Sequence, residues 1–561
     1  MNRPRASVVK RVPGLCLVLA LLSALAAAAE FTNPIMRGDW SDPGMIRVGD
    51  TYYTVRSSFG WQPGLPVAES KDLLHWRYIG HGFTTHPKLL PGDTRFGIWG
   101  VEMGYNPNTK QFLIYAPTRD GEVFCYYADK PEGPYQVKSL GVLGIDPGFF
   151  DDDDGRLYLI TNRFVINELA RDGLSVKGEV VKLSRTGHRY FEGPDIFKHG
   201  GWYYLLFSDG GTLPHEPSTI TTLRARALAG PWEEDPNNPN MFSTNSGGAF
   251  EAPAHGTLID TPSGQWFVTF HAHETAFYSL GRQMLMEPIE WTADGWWRPI
   301  GGKVPVLTAT APALPACDYQ LAQSDAFDST ALGLQWFFTC APDFSGKAWS
   351  LGESPGRLRV RTQPGDLGSL EALPGIFQQR VIDKKFSFET QLAFDPQDAR
   401  EAAGLHMYHD PLMNFWLVST VRDGKKAIAV GKYNLGQRTD LWSAPNPTGA
   451  TVHLKIAVDG QERATFYFGS DGKTWTPLGG SIYFGASGHH LRDNQRGDPD
   501  LGWVGRYKEA GASAVPPDPR LPNRSGNVWT ATTFGVFAVR DGAAAARNAD
   551  FSGFTVEKPT P

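Results

Sequence analysis

The sequence predicts an all-β protein, a five-bladed β-propeller followed by a β-sandwich, and three observations carry that prediction. The first is a turn leading into an aromatic, β-branched strand, which recurs five times before residue 300: GDTYYTVRS (49–57), TKQFLIYAP (109–117), DGRLYLIT (154–161), GGWYYLLFS (200–208) and SGQWFVTFH (263–271). The second is a shorter unit, a polar turn and a short strand, following each of them: SKDLLHW (70–76), DKPEGPY (129–135), RDGLSV (171–176), LAGPWE (228–233) and ADGWW (293–297). Two units alternating at a period of several tens of residues give one four-stranded blade per period, hence five blades. The alternative is a β-sandwich with coincidental likeness between its hairpins. The third observation is the stretch beyond residue 324, where segments such as FSFETQLAF (386–394) and TVHLKIAVD (451–459) alternate polar and apolar residues without blade rhythm or helical period. That pattern is a sandwich's.

In chain order, the first element is a leader. Arg3, Arg5, Lys10 and Arg11 precede an apolar run from Leu15 to Leu25 and the small residues Ala26 to Ala29, which reads as a secretory signal peptide over 1–29. Cys16 lies inside the apolar run rather than at its end, so a periplasmic or secreted protein is expected rather than a lipid-anchored one. No other stretch is long and apolar enough to span a bilayer. Without the leader the formal charge moves from −6 to about −10. Such a surface argues against nucleic acid and anionic membranes as partners and suits a neutral substrate.

The propeller then spans 30–305, a Pro- and Gly-containing linker 306–323, and the sandwich 324–561. Inside the sandwich, 485–527 is dense in Gly, Pro, Asp and Arg, a long loop that is either a solvated excursion or a functional lid. Of the remaining cysteines, Cys317 and Cys340 could pair in an oxidising compartment and leave Cys125 as a buried strand thiol; three reduced cysteines is an equal alternative. The sequence leaves the oligomeric state open.

Three acids stand at corresponding places in different blades. Asp42 in WSDPG (40–44) precedes the first repeat strand, Asp146 in GIDPG (144–148) the third, and Glu192 in FEGPD (191–195) the fourth. Inner strands of a propeller line one channel, so all three side chains can converge. Alone, an Asp-Pro-Gly is an ordinary turn; its repetition at equivalent positions, together with a glutamate, favours a site. A converging set of carboxylic acids suits glycosidic-bond hydrolysis with inversion, which needs one carboxylate to activate water and one protonated carboxyl to protonate the leaving oxygen. By contrast, Asp151 to Asp154 ends in Gly155 at a hairpin tip and reads as a plain turn. His271 and His273 share a strand face, but no third ligand of suitable spacing follows, so they read as channel-side polar residues rather than a zinc site.

These motifs, with FFDDDDG (149–155) and GGWYYLLFSDGGT (200–212), resemble glycoside hydrolase family 43 from about Asn33 to Pro305. FGWQPGLPVAESKDLLHW (59–76) resembles that family's β-xylosidases, and FDSTALGLQW (327–336) with ADFSGFTVE (549–557) is similar to their C-terminal concanavalin-like domain. The resemblance implies that Asp42 is the general base, Glu192 the general acid, and Asp146 the acid that orients Glu192 and tunes it. The physics agrees, since a nearby anion disfavours a second negative charge. It further implies that Arg282 contacts the sugar and the tuning carboxylate, that Phe59 and Trp99 wall the sugar pocket, and that Phe534 reaches the pocket from the C-terminal domain. His255 matches a channel histidine that in some relatives helps bind a structural Ca²⁺; no cofactor is implied for the chemistry itself. The implied activity is exo-acting release of terminal β-D-xylose or α-L-arabinofuranose from hemicellulose oligosaccharides. An endo-arabinanase and a non-catalytic carbohydrate-binding propeller are the alternatives, and a retaining fructan-active enzyme would be expected to show Arg-Asp-Pro and Glu-Cys motifs that this chain lacks. One departure stands out. Where relatives commonly have Trp-Ala-Pro, this chain has Trp99, Gly100, Val101 and then Glu102, which puts the sugar specificity in doubt.

Overall fold

The structure, a computed structural model, describes residues 29–558 apart from 87, 90–96, 185–186, 189, 213–216, 244–247, 340–342, 412, 435, 486–529, 541 and 543. The leader, Cys340 and nearly all of the 485–527 loop lie outside the described residues.

Five antiparallel sheets, four of four strands and one of five, follow one another along the chain. Blade one is Gly44–Val48, Thr51–Val55, Gly64–Ser70 and Arg77–Phe83; blade two is Glu102–Asn106, Gln111–Pro117, Glu122–Ala128 and Gln136–Leu143. Blade three is Gly148–Asp151, Leu157–Thr161, Val165–Leu169 and Val176–Lys182; blade four is Glu192–His199, Trp202–Ser208, Thr219–Ala225 and Glu233–Glu234, with Met241–Phe242 also pairing on its third strand. Blade five is Phe250–Asp260, Trp266–Glu274, Arg282–Trp291 and Trp297–Pro299. The first strand of each blade touches the first strands of both neighbours, blade five touching blade one, so the ring is closed.

Burial explains why the aromatic strands of the repeat do not alternate. Leu157–Thr161 is buried at every residue, because a strand near the axis is covered on both faces by adjacent blades, whereas the outer Val176–Lys182 is largely exposed. Between successive blades lie five apolar cores, for example Val55, Leu65, Ile98 and Ile114 between blades one and two, and Leu258, Phe270 and Trp297 between four and five. Cys125 is buried in the core between blades two and three. Near the axis the backbones crowd. A side chain on Gly44 would sit 2.6 Å from Met103 N and one on Gly148 1.9 Å from Pro194 O, which is why the glycine of each Asp-Pro-Gly has to be glycine.

A two-stranded pairing of Glu30–Thr32 with Thr308–Thr310 ties the two ends of the propeller together, so part of the segment expected as linker is a strand. The following domain packs two sheets face to face. One runs in the order Trp349–Ser350, Leu358–Arg361, Asn548–Glu557, Phe386–Ala393, Thr451–Val458, Arg463–Gly469, Thr476–Tyr483; the other contains Thr533–Arg540, Ala402–Asp410, Met413–Arg422, Lys425–Asn434 and Gln437–Pro445. Phe386–Ala393 alternates buried and half-buried residues, as a strand with one face on a core must. Among the described residues the helical segments are two short 3₁₀ turns, Tyr278–Leu280 and Leu370–Gly375.

The sandwich is docked on the propeller beside the channel mouth. Phe338–Thr339 pairs with Trp61–Gln62, Trp61 lies 4.7 Å from Phe337 ring to ring, Lys384 Nζ is 2.6 Å from Glu274 Oε1, and the Ser279 N–H donates to Glu462 Oε1 at 3.2 Å.

Candidate active site

The turns entering blades one and three hold their aspartates in the same conformation. Asp42 has φ 52° and Asp146 φ 51°, the left-handed region that residues other than glycine rarely adopt and that costs about 1–3 kcal/mol unless neighbours impose it. The neighbours are visible. The Asp42 N–H donates to His271 Nδ1 at 3.0 Å, and Asp146 Oδ2 accepts the Gly193 N–H at 3.2 Å. Both side chains are nearly fully buried, and both point into the channel toward His255, whose Nε2 lies 3.7 Å from Asp42 Oδ1 and 3.8 Å from Asp146 Oδ2. Glu192, the first residue of blade four, completes the group: one ligand atom each from Asp146, Glu192 and His255 lie within 4.8 Å of one another.

Different partners give the two aspartates opposite proton affinities. Burial alone would raise Asp42, but the Arg282 guanidinium, then His255, the Ser57 hydroxyl and the Gly100 N–H together hold it below the ordinary carboxylate value. Arg282 Nη1 is 2.5 Å from Asp42 Oδ1, and the Ser57 hydroxyl donates to Asp42 Oδ2 at 2.5 Å while accepting the Gly100 N–H at 2.8 Å. Asp146 is raised to about 7, first by burial and then by the negative charges of Glu192 and Asp42, against the lowering effects of His255 and the Gly193 N–H. One carboxyl is thus held ionised, and its neighbour belongs to a pair that resists losing its last proton.

Phe59, at φ 49°, bridges to Ile98, and its ring centroid lies 5.8 Å from the Arg282 guanidinium, so Phe59 and the half-buried Trp99 stand on adjoining backbone at the channel mouth. Trp99 Nε1 is buried without a hydrogen-bond partner among the described residues. Arg282, expected beside the tuning carboxylate, sets its Nη1 on Asp42. Phe534 does not reach the pocket. Its ring is fully buried in the sandwich, 4.8 Å from Phe388 and 5.2 Å from Phe386, because period-two alternation turns Phe534 into the core and Thr533 toward Gln378 and Tyr408. Asp152, in the acidic run, accepts Lys198 Nζ at 2.8 Å and the Tyr203 hydroxyl at 2.7 Å, as a structural turn would. Cys317 is a free thiol, its Sγ 3.6 Å from His75 O.

Glu102 opens the inner strand of blade two, and Asp195 lies three residues beyond Glu192. Both are buried and line a small cavity, about 10 Å³, together with Asp146, Pro147 and His255. Glu102 is raised well above the usual range by burial and by the charge of Asp195, which burial raises to about 8. Ser57 closes the first repeat segment and Gly193 and Asp195 stand in FEGPD, but nothing in those segments marks them as partners of the acids. Gly100 alone left a trace, as a glycine where relatives have alanine: at φ 61°, a side chain there would lie 2.0 Å from Asp146 Oδ1. His271 and His273 are both used, His271 accepting from Asp42 and His273 Nε2 lying 3.0 Å from Thr212 O.

The cluster of Asp146, Glu192 and His255 has the spacing of metal ligands, but Ca²⁺ takes six to eight oxygens. Two carboxylates and one imidazole nitrogen do not fit that ion, and coordination would occupy the carboxyls that the chemistry uses.

A closed propeller whose channel brings together an ionised carboxylate and a proton-retaining carboxyl pair is the apparatus of a glycosidase. The chain matches the model of Glycosyl hydrolases family 43 over residues 31–297 and that of the Beta xylosidase C-terminal Concanavalin A-like domain over 324–508. It is 28% identical over 501 residues to a Vibrio xylan 1,3-beta-xylosidase, covering 80% of this chain and 90% of the relative, and 30% identical over 464 residues to the non-reducing end alpha-L-arabinofuranosidase BoGH43B of Bacteroides ovatus, covering 79% and 86%. The crystal structure of the GH43 protein BlXynB from Bacillus licheniformis superposes with a TM-score of 0.80 at 29% identity, over 94% of this chain and 99% of that one. The chain belongs to glycoside hydrolase family 43 and is a glycosidase.

Proposed function

We propose that the enzyme is an exo-acting, inverting pentosidase that releases terminal β-D-xylose or α-L-arabinofuranose from hemicellulose oligosaccharides. The observation that carries the reading is the opposed proton affinity of two acids facing one imidazole: Asp42 clamped by Arg282, Asp146 paired with Glu192.

Asp42, ionised, accepts a proton from a water molecule as that water's oxygen bonds to the anomeric carbon. Glu192 gives its proton to the glycosidic oxygen as the carbon–oxygen bond breaks, so the alcohol leaves neutral. Asp146, next to Glu192, keeps the proton on the pair until it is needed, and His255 Nε2 sits between the two halves of the apparatus. The turnover ends with Asp42 protonated and Glu192 ionised, and exchange with solvent resets both. No step uses a metal ion. The relatives named above, a xylosidase and a non-reducing-end arabinofuranosidase, support a terminal pentose as the leaving sugar, and the sandwich against the channel mouth supports exo action. The leader motif supports export, which N-terminal sequencing of the mature protein, expected to start near Glu30, tests directly.

The test is hydrolysis of 4-nitrophenyl β-D-xylopyranoside and α-L-arabinofuranoside, with NMR of the first anomer formed. Release of one sugar with inverted configuration, lost in Glu192→Gln, is expected on natural oligosaccharides. First release of the retained anomer, or a Glu192→Gln variant with wild-type turnover of natural substrate, would sink the mechanism.

A further inference from the structure

The turn that carries Asp42 is held from outside its own domain. Arg380 ends the strand Ile376–Arg380 of the sandwich, is only 3% exposed, and crosses the domain boundary. Its Nη1 donates to the backbone carbonyl of Asp39 at 2.5 Å, its Nη2 to the Tyr78 hydroxyl, and its guanidinium carbon lies 4.9 Å over the Trp40 ring. Asp39, Trp40 and Ser41 are the three residues before Asp42. The same stretch is bonded on its other side by the Trp40 N–H to Arg282 O at 2.7 Å, and Ser41 O accepts the Ser57 N–H at 3.1 Å. Arg282 and Ser57 are the two side chains that grip the Asp42 carboxylate.

Asp39 adds a second observation. Its side chain is fully buried, the neighbouring Ser41 hydroxyl helps hold its charge, and the cations compensating it are Arg56, Arg282 and Arg380. A buried carboxylate is costly unless opposite charge is near, and one of those three charges comes from the sandwich.

We propose that Arg380 is a positioning residue for the general base: the C-terminal domain, through this one side chain, fixes the Asp39–Asp42 turn so that Asp42 stays in its strained conformation on the Arg282 clamp. The inference rests on Asp42 being the base. Groups facing Asp42 are Arg282, His255, His271 and, across the channel, Asp146; those around Asp39 are Arg56, Arg282 and Arg380.

The experiment compares Arg380→Met, Arg380→Lys and Lys384→Met in the full chain, with Asp42→Ala as reference, by kcat, KM, the pH profile of kcat/KM and thermal unfolding. Lys384→Met breaks a different domain contact, the ion pair to Glu274, whose own neighbours are Arg37 and Gln283 rather than Asp39–Asp42. Arg380→Met is expected to lower kcat at least tenfold with KM within about twofold, and to move the acidic limb upward as Asp42 slips from Arg282; Arg380→Lys should restore part of both. Lys384→Met should shift unfolding while leaving the limb in place. Were Arg380→Met to lose only stability, with kcat and limb as in wild type, or were Lys384→Met to move the limb equally, the positioning role would be overturned. Should Arg380→Met not fold, the Arg380→Lys limb decides alone, an unchanged limb and kcat overturning the proposal. Activity surviving in Asp42→Ala would instead overturn the assignment of the base.

Discussion

Blades one and three begin with the same three residues in the same backbone conformation, Asp42-Pro43-Gly44 and Asp146-Pro147-Gly148, yet their carboxyls have opposite proton affinities. The turn, the φ value and the burial are matched. What differs is the neighbour supplied by another blade: Arg282 from blade five against Asp42, Glu192 from blade four against Asp146. A propeller therefore repeats geometry and leaves chemistry to whichever side chain the adjoining blade brings, and two copies of one motif become one carboxyl held ionised and one that retains its proton.

The contrast can be broken most severely at its ionised half. Asp42→Ala should lower kcat by roughly 10²–10⁴, the usual worth of a positioned general base, measured on 4-nitrophenyl pentosides; a variant within tenfold of wild type would place the base elsewhere. Next in size is Arg282→Met, which leaves Asp42 buried without its counter-charge. Removing one partner of a buried pair costs about 3–5 kcal/mol, so urea unfolding should show a loss of that order and the acidic limb of kcat/KM should rise.

The other half is sharpened by pH. Asp146 has a folded-state pKa above its unfolded value, so its contribution to stability is complete below about pH 4 and is lost as pH rises through about 7. Melting temperature should fall across that window. Asp146→Asn should flatten part of the fall, leaving the share due to Asp195 and Glu287, which burial raises to about 8. An unchanged slope would mean Asp146 titrates normally. A smaller effect is expected of Gly100→Ala, whose Cβ would crowd Asp146 Oδ1 at an unfavourable φ: about 1–3 kcal/mol of strain, read as lower kcat and stability. Smallest of all is chelation. Activity after EDTA and dialysis should match the untreated enzyme, and a loss restored by Ca²⁺ would show that the enzyme uses an ion.

The propeller was legible because its strands repeat, and the repeat is a direct image of one blade per period. The three acids were legible for the same reason, each standing at an inner-strand entry. Their partners were not, since nothing in the repeat marks Ser57, Gly100, Gly193 or Asp195 as neighbours of the acids, and the bonds run between segments: Ser57 lies 15 residues from Asp42, Gly193 47 from Asp146, and Gly100 43 from Ser57 and 58 from Asp42. Phe534 failed for a related reason. TTFGVF alternates, and alternation says that one face is buried without saying against what; here the buried face meets Phe386, Phe388 and Phe554 rather than a sugar. Arg380 was silent because an arginine at a strand end reads as solvated until another domain is brought against it.

The pairing of Glu30–Thr32 with Thr308–Thr310 gives assembly of the ring a direction in time. A ribosome delivers the first member of that pair long before the second, and every blade must be made in between. Until then the inner strands of blades one and five lack each other, and Asp42 lacks Arg282 and His271, both contributed by blade five. Asp42 thus acquires its counter-charge only as the ring shuts, and a nascent chain truncated before blade five holds the acids of blades one, three and four without the guanidinium that sets Asp42 apart from Asp146.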